Sequence, residues 1–390
     1  MKKLICVLFL LTVMLSTTSC WDSRELDTLF IVTGIGLDVS EKENEIAVDV
    51  QILNVSDGQS GSSGTQEKDG GGNDSAIVLT SSGKSALAAI SSLRHESSRI
   101  LFLHHNKLIV IGKDMAKQGI QDKIDMFLRD EETRLEALVM IADGKAKEVL
   151  NAKLNQDKIS SFAVERIMQQ YNKTSTYLDI TLLKLVSALL SKTSAPLIPM
   201  IEVKKDGDID RLNISKMAVL KNDKMVGELD WDEITGYLWT KGDINDGILE
   251  LSIPEGTAAM NILSADNSLE PILQSDGRIG MRLNINSTLS IEELNGFASM
   301  DLKEVIDRLT DEAIHAIEKR VYTTFDKSKQ LNTDFYGFSR LFQIKYPKVW
   351  TSLEQQWDSY YPTMQLVLSV HVTINSTGET TKSLDMEENQ

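Results

Sequence analysis

The chain has almost no cysteine. It holds two in 390 residues. Cys6 lies in an apolar leader and Cys20 just beyond it, so a chain cut between them keeps one thiol and can form no internal disulfide. Its stability must come from a hydrophobic core, which a chain of this length can build. A membrane-spanning run is also missing. The longest apolar stretch, Leu4 to Leu15, falls short of the ~20 residues a helix needs to cross ~30 Å of hydrocarbon. Positive charge is scarce: the formal net charge is -16, and removal of Lys2 and Lys3 with the leader takes it to -18. Nucleic acid and anionic headgroups repel such a surface. That argues against a nucleic-acid partner and against a basic patch as the means of membrane attachment.

Several catalytic and cofactor motifs are absent as well. There is no phosphate-binding loop, no Gly-x-Ser-x-Gly and no His-Glu-x-x-His. Gly34 and Gly36 lack the third glycine and the following helix of a dinucleotide fingerprint. Histidines number five.

What the sequence does have begins at residue 2. Lys2 and Lys3, the apolar run, and small polar residues from Ser16 to Ser19 form the three parts of a secretory signal peptide over 1–19. Thr17-Thr18-Ser19-Cys20 then looks like a lipoprotein processing box, with Thr17 where leucine is usual. A thiolate is a good nucleophile, so Cys20 is the expected lipidation site, carrying a thioether-linked diacylglyceryl group. Each buried methylene contributes about 0.8 kcal/mol, and stable anchoring takes two chains, which that group supplies. An unmodified secreted chain with a lone thiol is the alternative.

The mature chain reads as α+β, with mainly antiparallel and mixed sheets packed by helices. Strands come in groups with helices between and after them, which disfavours a doubly wound parallel fold. Residues 20–198 are expected as an N-terminal α/β domain. Leu29 to Leu37 and Ile46 to Ile52 form a hairpin within it, and the glycine-rich segment 57–75 a loop. Strand patterns follow at 76–79, 101–111 and 137–141. Helical patterns cover 84–93, 114–129, 145–153, 159–171 and 177–190. Pro196 and Pro199 suggest a linker at 196–210. A middle domain spans 205–275. It has a hairpin turning at Lys221 to Lys224, a short helix at 231–239, a strand at 248–253 and irregular chain over 256–276. A C-terminal domain spans 279–378, with a long helix at 301–329 that shows one apolar stripe, and an alternating strand at 366–374. Residues 379–390 form a polar tail.

Few residues invite a chemical role. His104 and His105 sit in a strand pattern, where neighbours point to opposite faces; one buried, hydrogen-bonded histidine is expected, not a metal pair. Asp130, Glu131 and Glu132 are paired carboxylates of the kind that cleave glycans, or a solvated helix end with local ion pairs. Trp231, Trp239, Trp350 and Trp357 could line a sugar site. The seven-residue spacing of Trp350 and Trp357 favours core packing on one helix face.

Four stretches in order resemble one family. They are Cys20 to Leu26 leading into Ile31 to Asp38; Ser98 to Gly112 with Phe127 to Arg134; Met217 to Gly227 with Thr235 to Trp239; and Leu331 to Phe338 with Tyr346 to Trp350 and Trp357. The chain resembles the Ger(x)C lipoproteins, C subunits of bacterial spore germination receptors. Asn375 departs from the family pattern, which carries an arginine before a Thr-Gly pair. The resemblance implies three mixed α/β domains, no catalytic activity and no cofactor. It also implies assembly with integral membrane A-type and transporter-like B-type subunits, in a nutrient-responsive complex at the spore inner membrane. The leading expectation is therefore a non-enzymatic, lipid-anchored receptor subunit on the outer membrane face. A nutrient-binding lipoprotein with an interdomain cleft is the second reading. A cell-wall hydrolase using Asp130 with Glu131 or Glu132 is the third.

Overall fold

The computed structural model describes residues 28–54, 75–155, 157–173, 180–191, 193, 195–244, 246–297 and 300–376. The leader, Cys20, nearly all of the glycine-rich segment and the polar tail lie outside them.

The expected hairpin is β1 (Leu29–Val39) against β2 (Ile46–Leu53), with Leu37 opposite Val48. Strand β3 (Ala76–Gly83) pairs antiparallel with β2, and α1 (Ala86–Glu96) follows. Next come β4 (Ile100–Phe102), β5 (Leu108–Gly112), α2 (Lys113–Gln118), α3 (Gln121–Arg129) and β6 (Leu138–Ala142). Helices α4 (Ala146–Leu150), α5 (Ser160–Lys173) and α6 (Leu182–Leu189) lead to β7 (Leu197–Asp206), β8 (Ile209–Lys221) and β9 (Lys224–Leu229). All nine strands share one sheet, ordered β3-β2-β1-β5-β6-β7-β8-β9, with β4 beside β1. Strands β1, β5, β6 and β7 are parallel neighbours; both flanks are antiparallel.

The central strands are apolar on both faces, which is what a sheet covered on both sides requires. Leu108, Val110, Met140, Leu197 and Ile201 face one core, under α4, α5 and the rest of the chain. Ile109, Ile111, Val139, Ile141 and Ile198 face the other, under α1, α2, α3 and α6. The side-chain period of two sorts alternate residues into the two cores.

Helix α7 (Trp231–Lys241) starts the second half, with a capping box between Asp230 and Glu233. Strands β10 (Ile248–Ile253), β11 (Gly256–Leu273), β12 (Ile279–Asn295) and β13 (Gln365–Ser376) form a four-stranded sheet in that order. The first three are antiparallel, and β13 is parallel to β12. The crossover holds α8 (Leu302–Gln330), α9 (Phe338–Lys345), α10 (Pro347–Leu353) and α11 (Trp357–Tyr360). The fold is α+β with two mixed sheets packed by helices.

Four expectations are corrected. The single strand at 101–111 is two, joined by a turn at Leu103–His105. Register explains it: Phe102 sits opposite Ile31 and Leu108 opposite Gly34, so six residues must advance beside three. The single helix at 114–129 breaks at Gly119, whose φ of 124° no ordinary helical residue adopts. The linker at 196–210 is instead β7 and the start of β8. Pro199 is tolerated because β6 pairs with β7 only at Met200 and Ile201, so its missing N–H interrupts no ladder bond on that side. Strand pairing places residues 29–229 in the first sheet and 248–376 in the second. The irregular chain at 256–276 is one long strand, β11. A register shift between Ile262 and Ser264 moves its buried positions from Ala258, Met260 and Ile262 to Ala265, which hides the alternation.

Within the second half, α7 crosses α8 at close range. A Cβ on Gly236 would lie 2.3 Å from the Arg320 carbonyl oxygen and 2.3 Å from Thr324 Oγ1. Only glycine permits that approach. Gly34 is also tight, but its nearest obstacle is the tip of Leu150 at 2.9 Å, and a side-chain tip can turn. Gly236→Ala should therefore lower stability by about 2–3 kcal/mol and Gly34→Ala by about 1 kcal/mol. Urea midpoints followed by circular dichroism check the order; a Gly236→Ala midpoint equal to that of the unchanged chain would contradict the crossing.

Candidate functional site

The parallel strands give the first sheet two distinct ends. At the end where β5 and β6 finish, Asp38 fills the space. Its carboxylate accepts from the Ala146 and Lys147 amides at 2.9 and 3.0 Å. It also lies against Gly112, where any Cβ would meet Asp38 Oδ1 at 2.0 Å. Burial pushes the Asp38 carboxyl up, and the two amide bonds oppose that. Ligand crevices of open α/β sheets usually lie at this end; here it is plugged by the protein's own carboxylate.

The opposite end is where β1, β4, β5, β6 and β7 begin, and a cleft opens there. The chain just before β7 (Thr193, Ala195), the β8–β9 turn (Lys221, Asn222), the segment Asn332 to Asp334, and Trp357, Asp358 and Tyr361 surround a polar cavity of about 180 Å³. Asp334 organises its inner wall. Its two carboxylate oxygens accept from the Phe338 and Ser339 amides at 2.8 and 2.7 Å, capping α9. Its carbonyl accepts from the Ala195 amide. Burial pushes the Asp334 carboxyl up; bonds from Ser339, Phe338 and Gly337 oppose the shift. On the outer wall, Lys221 Nζ donates to the Asn332 carbonyl at 3.0 Å and pairs with Asp358 at 3.1 Å. Asn332 Nδ2 donates to the Asp358 carbonyl at 3.0 Å. Thr193 and Ser339 hydroxyls bond at 2.9 Å.

Behind the cleft lies an aromatic stack. Tyr336 and Phe338 rings are 4.7 Å apart and nearly parallel, and Trp350 meets Trp357 edge-on at 5.2 Å. Burial pushes the Tyr336 and Tyr361 hydroxyls well up, so both stay neutral. Thr333 Oγ1, Asn332 Oδ1 and Trp357 Nε1 are buried without a protein partner. The arrangement holds two halves of the chain together through charge and hydrogen bonds, around a small polar space. A larger groove of about 780 Å³ runs between α5 and the β7–β8 hairpin. Its charges are paired, Arg166 with Asp157 and Arg211 with Asp206.

The residues singled out from the sequence fall elsewhere. Cys20 lies outside the described residues. His104 and His105 are both exposed in the turn after β4, with Phe102 stacked on His104 at 4.6 Å. The expected buried histidine is thus corrected: the turn that absorbs the extra residues carries both rings outward. Among the described residues no group of three or more His, Cys, Asp or Glu could hold a metal ion. Asp130 accepts from the Glu132 amide at 2.9 Å in a surface turn, and Glu132 lies 3.9 Å from Arg94. These carboxylates line neither cleft nor groove, and the local ion-pair reading describes them. Gly34 and Gly36 let α4 approach β1. Trp239, Trp350 and Trp357 are buried and Trp231 is half exposed. Trp350 and Trp357 do pack in the core, but on two successive helices. Lys221 and Asp334 were missed as site residues; both lie in segments that carry the resemblance.

Two family models match the chain in order. The spore germination protein N-terminal domain covers residues 22–203, and the spore germination B3/GerAC-like C-terminal domain covers 215–378. The chain belongs to the GerAC-like spore germination family. Spore germination protein YndF of Bacillus subtilis is 26% identical, over 97% of both chains. Spore germination protein KC of the same organism is 26% identical over 97% of this chain and 96% of its own, and protein A3 is 24% identical over 97% and 98%. The crystal structure of the GerBC protein shares the fold, with a TM-score of 0.58 and 18% identity over 87% of this chain and 97% of that one. The family models meet within the β7–β8 hairpin, inside the first sheet. A role in germination follows for this GerAC-like protein.

Asp334 offers a test of the cleft. Asp334→Ala would orphan two buried amides and should cost about 2–4 kcal/mol; Asp334→Asn keeps one acceptor oxygen and should cost less. Folded Asp334 holds its proton to higher pH than the unfolded residue, whose value is near 3.8. Between 3.8 and the raised folded value the native state binds more protons, so this group's contribution to stability falls as pH rises through that window. Urea midpoints measured upward from pH 4 should fall less steeply in Asp334→Asn than in the native protein, the remainder coming from other buried carboxyls such as Asp38.

Proposed function

We propose that this protein is a non-enzymatic, lipid-anchored subunit of a spore nutrient germinant receptor, held on the outer face of the spore inner membrane beside integral membrane A-type and B-type subunits. One observation carries the reading: the family match starts at residue 22, two residues after the cysteine of a lipoprotein processing box. No helix among the described residues is long and apolar enough to cross a membrane; in this reading the attachment is a diacylglyceryl group on Cys20. Such tethering turns docking onto membrane partners into a near-intramolecular event, at effective concentrations reaching about mM. Weak contacts then suffice for assembly.

Cys20→Ala should move the protein from the membrane to the soluble fraction and impair nutrient-triggered germination. Fractionation of spore membranes with an antibody to the chain, beside loss of absorbance in a germination assay, reads both effects. Unchanged membrane recovery in the variant would refute the tether.

Direct capture of a nutrient is the second reading. The cleft with three partnerless polar atoms favours it, since a bound polar solute would satisfy them. Calorimetry with the triggering nutrient distinguishes the two: heat of binding that Asn332→Ala abolishes supports capture, and no heat at millimolar nutrient removes it.

A further inference from the structure

We infer that the end of the first sheet where its parallel strands begin is a membrane-contact face, whose exposed aliphatic side chains enter the headgroup region of the bilayer. This rests on the lipid-anchor reading above. Apolar exposure is concentrated at that end. Ile77 stands opposite Ile52 beside the last residue of β2. Ile100 opens β4 opposite Leu29. Leu128 lies in the last turn of α3, which leads through residues 130–137 into the start of β6. Leu135 and Leu183 are adjacent, since the Leu183 amide donates to the Leu135 carbonyl at 3.0 Å. Leu190 closes α6 shortly before β7 begins. All six are exposed, Leu183 by 53% and Leu190 by 80%. Among the described residues, the opposite end exposes three large aliphatics, Val39, Leu87 and Ile209. A scattered single leucine needs no explanation, but a concentration at one end does.

Chain length says what covers it. Eight residues lie between Cys20 and Leu29, and the nine chain steps span at most about 30 Å when fully extended. An anchored Cys20 therefore holds the start of β1 within about 30 Å of the bilayer, and the tethered chain enters the sheet at this end. Ile100 and Leu29 lie at that start. Arg99 stands over the Phe30 ring at 5.4 Å beside Ile100, a cation flanking an apolar tip, as at membrane interfaces. Helix α6 begins beside the first residue of β6, where Thr181 bridges Leu138, and ends just before β7. It thus lies along this end and presents Leu183 and Leu190 together.

The test uses the membrane-extracted, full-length protein in phosphatidylcholine/phosphatidylglycerol vesicles containing bromine-labelled acyl chains. A fluorophore is placed on Leu183→Cys or, at the opposite end, on Lys42→Cys. At least twofold quenching at residue 183 with none at residue 42 is expected; equal quenching, or none at 183, overturns the inference. Quenching at 183 that requires co-reconstituted integral membrane subunits also overturns it, because the face then belongs to a protein partner. In the Cys20→Ala background, combining Leu135→Ser, Leu183→Ser and Leu190→Ser should weaken the residual vesicle association about tenfold or more, and no change would count against the face. Intact mass separates the two readings. A chain without lipid removes the anchor, while the aliphatic face is still decided by vesicle association of the Cys20→Ala protein.

Discussion

The rest of this structure depends on a sheet whose central strands are buried on both faces. Leu108 and Val110 enter one core while Ile109 and Ile111 enter the other. Each buried aliphatic contributes about 1.5–3 kcal/mol, so slipping any of these strands by one residue would exchange their two faces. Once both faces are covered, the sheet has only its two ends and outer strands left to offer. The end where the strands finish is closed by Asp38. The cleft and the exposed leucines both lie where the strands begin.

A protein this acidic places several of its carboxylates at helix starts. Asp38 caps α4, Asp230 caps α7 within a capping box, and Asp334 caps α9. Unpaired amides at a helix N-terminus and the helix dipole both favour an anion there. Asp38 and Asp334 are buried, so their carboxyls pay a desolvation penalty that their amide bonds only partly offset. Elsewhere the charges form rings. Lys113 and Lys216 each pair with both Asp143 and Glu228, at 2.5 to 3.2 Å, linking the finishing ends of β5 and β6 to β8 and β9. Lys113 and Lys216 beside them hold the Asp143 and Glu228 carboxyls low against the upward push of burial. The ring therefore stays charged under mildly acidic conditions.

Family membership and cleft geometry meet in the segment Leu331 to Phe338. Asn332 adopts a left-handed φ of 47° and Gly337 one of 72°, and between them Asp334 and Tyr336 turn inward. The segment bonds to the chain before β7 and to the β8–β9 turn, so the C-terminal half packs against one corner of the first sheet, where β7 begins. A lipid tether at that end would bring the cleft and the exposed aliphatics to the same side of the molecule, toward the bilayer.

The sequence by itself determined the strands and helices whose burial follows one regular period. These include the β1–β2 hairpin, the turn at Lys221 to Lys224, the stripe of α8 from Val305 to Phe325 and the alternation of β13. Local spacing decides these, because each element buries a single face or stripe. It also carried the family resemblance and the cysteine at which the anchor is proposed. Only the tertiary structure decided where periods break. The turn at His104 exists because β4 and β5 must keep step with β1. The slip inside β11 depends on its partner β12, and Pro199 is tolerated because β6 pairs with β7 only at Met200 and Ile201. The cleft was illegible for the same reason. Its walls come from residues 193, 221, 332 and 358, and no pattern along the chain records that Lys221 will find Asp358 until the two sheets and α8 have brought them together.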